Sequence, residues 1–372
     1  MQLREPLACA ALCLGAGACA SPPPPGPELG GPPVPRVRQV DYLIRADEPH
    51  FRHLWQVTKG GENAEAYWSS DGKRLVLQRR NPDEGLECDQ IFVTDRETGA
   101  LTAVSDGKGT TTCSYFMPGD REVLFASTRG TMADCPPKVD LSQGYVWAVW
   151  PEFDLWVRDL EEGGLRQLTD VHGYDAEATL SPKGDRLVFT SSRSGDLELW
   201  TMDLDGGNLL QVTDELGYDG GAFYSHDGTK LVFRATVFAD GEGGERERGR
   251  YQELLAQWRI RPQALEIFIC DADGSNRRQV TRLGGANWAP YFFPDDRRLL
   301  FSTNHHDPDM SDGINFDLYA VNLDGTGLER VTAYEGFDAF PMFSPDGRFV
   351  AFSSNRGGTQ AGETNVFIAE WR

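Results

Sequence analysis

Three of the six histidines, His172, His305 and His306, fall in segments that also carry carboxylates. A transition-metal site needs three or four such side chains converging within coordination distance. With Glu65, Asp175, Glu177, Asp219 and Asp338, the histidines form a pool from which a divalent metal site could be drawn. A metal held there would make a hydrolase or lyase acting on carbohydrate or peptide. No His-Glu-x-x-His spacing joins the candidates, and no Gly-x-Ser-x-Gly elbow marks a nucleophile. The glycines sit in turn dipeptides rather than ahead of a helix, so they do not form a phosphate cradle. No catalytic residue is therefore assigned, and no cofactor is expected. The same carboxylates with Asn287 and Trp288 suit a different task, binding a cation or a polar ligand. The plainer reading is that each Asp caps its own loop backbone.

The elements that would position these residues are set by an internal repeat. One copy reads Leu165-Arg166-Gln167-Leu168-Thr169, then Tyr174-Asp175-Ala176-Glu177, then Leu180-Ser181-Pro182-Lys183-Gly184. It continues as Arg186-Leu187-Val188-Phe189-Thr190-Ser191-Ser192-Arg193 and Leu199-Trp200-Thr201-Met202-Asp203-Leu204-Asp205-Gly206. The turn marker recurs as Ser70-Asp71-Gly72, His226-Asp227-Gly228 and Pro345-Asp346-Gly347, with weaker forms at Pro118-Gly119-Asp120, Pro182-Lys183-Gly184 and Pro294-Asp295-Asp296. That makes six copies. Each holds four short apolar runs separated by hairpin signals, which predicts four antiparallel strands, one propeller blade. An open solenoid is the alternative.

The chain ends discriminate between the two. Phe51-Arg52-His53-Leu54-Trp55-Gln56-Val57-Thr58 matches a fourth strand with no first three before it. The last copy supplies Phe340 to Ser344, Arg348 to Ser353 and Asn365 to Ala369, and lacks a fourth strand. Pairing the two would close a ring and remove exposed strand edges. The expected fold is an all-β, six-bladed propeller over residues 37–372.

Repeats of this kind, with Gln-Leu-Thr, Ser-Pro-Asp-Gly and Met-Asp-x-Asp-Gly signatures, resemble the TolB propeller family over about residues 51–372. The resemblance implies a binding propeller of the bacterial envelope. In that family the partners are a peptidoglycan-associated lipoprotein and the Tol complex. Here a candidate lipobox and a spacer stand ahead of the blades, so those partners are not carried over. Such repeats also accompany peptidases and lyases, so the fold leaves activity open.

Strand alternation sends the two Asp-Gly-type turns of each blade to one face and the variable connections to the other. On the variable face, Glu65, Asp175, Glu177, Asp219, Asn287, Trp288 and Asp338 precede or begin innermost strands and are expected to ring the channel mouth. Three connections on that face are long: the two longest are Arg129 to Glu152, with Tyr145 to Trp150, and Thr236 to Ala264, where Tyr251 to Trp258 has helical spacing, and blade 5 adds Asn304-His305-His306-Asp307-Pro308. One disulfide is expected among Cys88, Cys113 and Cys135; Cys270 reads as a small buried apolar residue.

The formal net charge of −21 argues against nucleic acid as a partner and favours a soluble monomer. At the start, Arg4 precedes an apolar stretch, Leu7 to Ala18, too short to span a bilayer. It runs into Ala16-Gly17-Ala18-Cys19, which resembles a bacterial lipobox with lipidation at Cys19. An ordinary signal peptide cut after Ala18 or Ala20 is the alternative. Residues 19–36, with Pro22 to Pro25 and Pro27, Pro32, Pro33 and Pro35, read as an extended tether. The expectation is an exported, lipid-anchored protein, in the outer membrane facing the periplasm, touching membrane through its lipid alone and receiving a protein or small-molecule ligand.

Overall fold

The computed structural model describes residues 37–140, 142, 144–307 and 315–372. The signal peptide expected over 1–18, the lipidation expected at Cys19 and the tether expected over 19–36 lie outside the described residues. The described chain is a six-bladed β-propeller. Blade 1 comprises Glu62–Trp68, Arg74–Asn81, Leu86–Asp95 and Leu101–Ala103. Blade 2 comprises Thr111–Phe116, Glu122–Ser127, Asp154–Asp159 and Leu165–Gln167. Blade 3 comprises Asp175–Leu180, Arg186–Ser191, Glu198–Asp203 and Leu210–Gln211. Blade 4 comprises Asp219–Tyr224, Lys230–Thr236, Leu265–Asp271 and Arg278–Gln279. Blade 5 comprises Asn287–Phe292, Arg298–Thr303, Asp317–Asn322 and Glu329–Arg330.

Blade 6 takes Asp338–Phe343, Phe349–Ser354 and Asn365–Trp371 from the end of the chain and Phe51–Gln56 from its beginning. Leu54 lies opposite Ala369 and Gln56 opposite Phe367 in the antiparallel seam. A fifth strand, Arg38–Gln39, pairs outside it. The offset repeat thus closes the ring as expected.

Each blade is covered on both faces by its neighbours, which is why the second strands read as continuous apolar runs rather than alternating ones. Leu187, Val188 and Phe189, and likewise Leu231, Val232 and Phe233, are all fully buried. The Asp-Gly turns are built locally. In blade 1, Asp71 accepts from the Ser69 hydroxyl at 2.7 Å and the Lys73 N–H at 3.0 Å, while Gly72 takes φ +67°. In two weaker copies the acid stands one place later and does a second job. Asp120 accepts from the Ser70 and Asp71 N–H groups of blade 1, and Asp296 from the His226 and Asp227 N–H groups of blade 4. The apparent degeneration of the motif is therefore a clasp between adjacent blades.

The two long insertions carry the remaining structure. The second holds the one helix among the described residues, Gly241–Leu255, whose Tyr251 is buried and hydrogen-bonds Asp196 of blade 3. The expected start of that helix at Tyr251 is ten residues late. Trp147–Ala148 of the first insertion pairs antiparallel with Arg259–Ile260 of the second, a ribbon joining blades 2 and 4 over the end of blade 3.

Candidate functional site

Every innermost strand breaks register two or, in blade 1, three residues after it starts. The shifts fall between Ala64 and Tyr67, Thr112 and Tyr115, Ala176 and Thr179, Gly220 and Phe223, Trp288 and Tyr291, and Ala339 and Met342. The first residue within each bulge has positive φ: Glu65 52°, Cys113 49°, Glu177 58°, Gly221 61°, Ala289 48° and Phe340 58°. A bulge re-aims one residue, and here all six bulge positions line the central bore, five of them with a side chain. Five of the six are not glycine, so backbone strain of about 1 kcal/mol or more is accepted at each to line the channel. The bore encloses about 370 Å³ of atom-free space including its open end, and Tyr67, Phe223 and Arg234 complete its wall.

The residue two places earlier in each strand does not face the bore. Asn63, Thr111, Asp175, Asp219, Asn287 and Asp338 are all buried and bonded within or between blades. Asp175 accepts from the Ser191 hydroxyl and from Arg193 at 2.8 Å. Asp338 accepts from Arg356 at 2.6 Å, and Arg356 also grips Glu48 at 2.9 and 3.1 Å, all three side chains fully buried. Asp219 pairs with Arg277 at 3.1 Å, and Asn287 bonds the Thr303 hydroxyl at 2.6 Å and the Leu265 carbonyl at 2.8 Å. Of the residues expected at the mouth, Glu65 and Glu177 therefore look into the bore. Asp175, Asp219, Asn287 and Asp338 stand behind it as ties, and half-buried Trp288 lies at the rim against Phe316, Phe337 and Phe340.

Glu177 is held from four sides. Its carboxylate pairs with Arg234 and accepts from Tyr218 OH at 2.6 Å, Thr190 Oγ1 at 2.6 Å and the Gly221 N–H at 2.9 Å. Room for this network comes from two glycines. A Cβ on Gly220 would lie 2.4 Å from the Tyr218 ring and 2.5 Å from Glu177, and one on Gly221 would lie 2.3 Å from Arg234. Burial and the Glu177 charge raise the Tyr218 hydroxyl well above its ordinary value. Glu65 differs. It has no ion-pair partner among the described residues, and the protein that encloses the bore pushes its carboxyl up to about 7. Burial beside the two glutamates likewise raises the Cys113 thiol. The bore thus offers one unpaired, protonatable carboxyl and one neutral thiol beside a neutralised acid–arginine pair.

The mouth is partly roofed by the insertions. Trp147 lies 5.3 Å from Trp288 and 6.3 Å from Tyr218, ring to ring, with the Arg234 guanidinium 5.4 Å from its centre. Cys88 and Cys135 form the disulfide, Cα–Cα 5.7 Å, tying the first insertion to blade 1; Cys113 and Cys270 are free. The histidine set is not assembled. His172 packs edge-on against Trp258, while His305 and His306 lie against Tyr319, with His306 3.1 Å from Asp317, which pairs with Arg330. Among the described residues no three His, Cys, Asp or Glu side chains converge as metal ligands. The candidate donors are apart because the loops that carry them belong to different blades.

Arg234 was not singled out from the sequence; Tyr218, Gly221 and Phe340 stood beside the candidate residues in the same loops, and Trp147 in the aromatic stretch of the first long connection. A signal was present. Counting from Asn63, Thr111, Asp175, Asp219, Asn287 and Asp338, the third residue reads Glu, Cys, Glu, Gly, Ala and Phe in blades 1 to 6, whereas the fourth is always Ala, Ser or Pro, which marks the third as the variable step.

Residues 253–365 match the TolB beta propeller domain family. The Tol-Pal system protein TolB of Francisella tularensis is 27% identical over a match covering 28% of this chain and 22% of that protein. A TolB homolog of Chlorobium luteolum is 30% identical, covering 28% and 31%. The chain thus matches less than a third of the length of these curated relatives. Among solved structures, a TolB from Agrobacterium tumefaciens superposes with a TM-score of 0.54 at 17% identity, covering 84% of this chain and 91% of that one. An oligogalacturonate lyase from Vibrio parahaemolyticus gives 0.51 at 13%, covering 90% and 96%. At such identities the superpositions speak for the fold. Residues 253–365 thus carry the family match, and the whole described chain has a six-bladed propeller fold similar to that of the TolB structures.

Proposed function

We propose that the chain is a non-catalytic binding module of the bacterial envelope whose elaborated face receives a segment of a partner protein. The observation that carries this reading is an asymmetry. One face ends in tight turns, while both insertions, the disulfide, the ribbon and the bulge-lined bore belong to the other. Glu65 at the bore is available to a basic or hydrogen-bond-donating group from that segment, with Trp147 and Trp288 as an aromatic rim. The name of the Francisella relative, a Tol-Pal system protein, supports a protein partner and an envelope setting. Lipidation at Cys19 with residues 19–36 as a tether, in the outer membrane facing the periplasm, completes the proposal. A small ligand in the bore is accommodated by the same geometry. The second reading, a metal-dependent hydrolase or lyase acting at the same mouth, has no converging set of metal donors among the described residues to support it.

The test is site-specific photo-crosslinking of the full chain in cells of its source organism. Probes replace exposed Tyr145 and Val171 on the elaborated face, or exposed Asp205 and Asp324 on the turn face. A discrete crosslinked polypeptide from the first pair and none from the second is expected. Equal yields from both faces, or none from either, would overturn the proposal.

A further inference from the structure

The bore does not run through the ring. Two residues beyond the bulge position stand Tyr67, Tyr115, Phe223 and Tyr291, in blades 1, 2, 4 and 5. Blades 1 and 4 lie opposite one another in the ring, and so do blades 2 and 5. Tyr67 nevertheless meets Phe223 ring to ring at 5.5 Å, and the hydroxyls of Tyr115 and Tyr291 share a hydrogen bond. Tyr67 also meets Tyr115 at 5.9 Å, and Phe223 meets Tyr291 at 5.2 Å. Side chains from opposite blades thus close the channel with an aromatic floor. The bore is a blind pocket whose mouth lies on the elaborated face.

The charges of this pocket do not balance. Glu177 is neutralised by Arg234, whereas Glu65 has no ion-pair partner among the described residues and is met by the Cys113 thiol, a weak donor. A carboxylate has about four sites at which to accept. At Glu65 the like charge of Glu177 acts more strongly than the opposite charge of Arg234, and Asp89 adds a second like charge. The next guanidinium, Arg80, is taken by Glu62. One cation in the pocket would supply the missing counter-charge, and aromatic rings attract a cation held beside them. A bare metal ion needs several oxygen donors, but Ala178, Phe223, Ala289 and Phe340 make the rest of the wall apolar. A charge at the tip of an alkyl chain matches both parts of the lining. We infer that the blind pocket binds one primary alkylammonium group, its charge against Glu65 and its methylenes against the apolar wall. The inference rests on the proposed function, in which a partner segment presents that group as a lysine side chain.

The experiment is isothermal titration of the purified full chain with n-butylammonium chloride at constant ionic strength. It is run at pH 8, above the value of about 7 to which burial pushes Glu65. n-Butanol and calcium chloride are the controls. Saturable binding of butylammonium is expected, at least about tenfold tighter than either control, the size of one charge-assisted hydrogen bond. Glu65→Gln should remove that advantage. Equal binding of n-butanol or of calcium by the native chain would overturn the inference, and so would unchanged butylammonium affinity in the variant. Nα-acetyl-lysine methylamide separates the two sources of the group. Affinity comparable to that of butylammonium assigns the pocket to a lysine of a partner, whereas its exclusion while butylammonium binds assigns the pocket to a small free amine. Crosslinks on the elaborated face without butylammonium binding would sink this inference and leave the proposed function standing; the reverse result would sink the proposed function alone.

Discussion

The Arg234 guanidinium sits 5.4 Å from the centre of the Trp147 ring, although Trp147 is carried by an insertion from blade 2 and Arg234 by the second strand of blade 4. The roof of the mouth is thereby fastened to the charge that neutralises Glu177 in its wall. Trp147→Ala should loosen this contact without touching the blades. The readout is the free thiol of Cys113, which lines the bore. Its alkylation rate is expected to rise severalfold in the variant, while that of buried Cys270 stays unchanged.

Removing one partner of a buried ion pair costs more than removing both. Arg234→Met leaves the Glu177 charge in the wall with a tyrosine, a threonine and one N–H for company. A loss of about 3–5 kcal/mol is expected in urea denaturation. Arg234→Met combined with Glu177→Gln should recover a substantial part of it.

Glycines make opposite predictions according to what surrounds them. Gly220→Ala would drive a methyl group into the Tyr218 ring and Glu177, and should destabilise by about 1–3 kcal/mol. A methyl group on Gly249, inside the helix, would meet nothing within 4 Å, so Gly249→Ala should stabilise by about 0.5–1 kcal/mol. Both are read from denaturant midpoints.

Several buried acids titrate late. Burial pushes Glu65, Asp219 and Asp317 up to about 7 and Glu198 up to about 8. Between about pH 4, where the unfolded carboxyls ionise, and pH 8, the folded chain binds more protons than the unfolded one. Stability must therefore fall as pH rises through that window. The opposite limb lies lower: Glu363, held down to about 2 against its own burial by backbone and side-chain donors, contributes stability that is lost as pH falls below 4. Denaturation midpoints should be higher at pH 5.5 than at pH 8, and Glu65→Gln should make the decline shallower.

The architecture was legible because a blade is a local object: four apolar runs and their turn residues lie within one copy, and the offset of copies announces the seam between Phe51–Gln56 and Asn365–Trp371. The bore lining was less so. The expectation placed Asp175, Asp219, Asn287 and Asp338 around the channel, but a bulge two residues into each strand decides which side chain turns inward, and a bulge is set by the pairing of two strands. Arg234 lies within an otherwise apolar run, and Gly221 on the neighbouring strand makes a place for it. The ribbon joining the insertions depends on contacts between residues more than a hundred positions apart, which no local pattern records.

Reduction tests the anchor of the roof. The Cys88–Cys135 bond closes a loop of 47 residues, and its loss through Cys88→Ser should cost about 2–4 kcal/mol. Peptide mapping should find free thiols at Cys113 and Cys270 before reduction and at all four positions after it.

The seam in blade 6 also imposes a timetable. Phe51 is among the first described residues to be synthesised, yet its partner strand ends at Trp371. Throughout translation Phe51–Gln56 must wait with its blade-side edge unpaired while five sheets assemble behind it. The last step is then a single long-range docking, slow for reasons of chain entropy. Until it happens the nascent ring has two sticky edges, and a chaperone that shields Phe51–Gln56 would govern its yield.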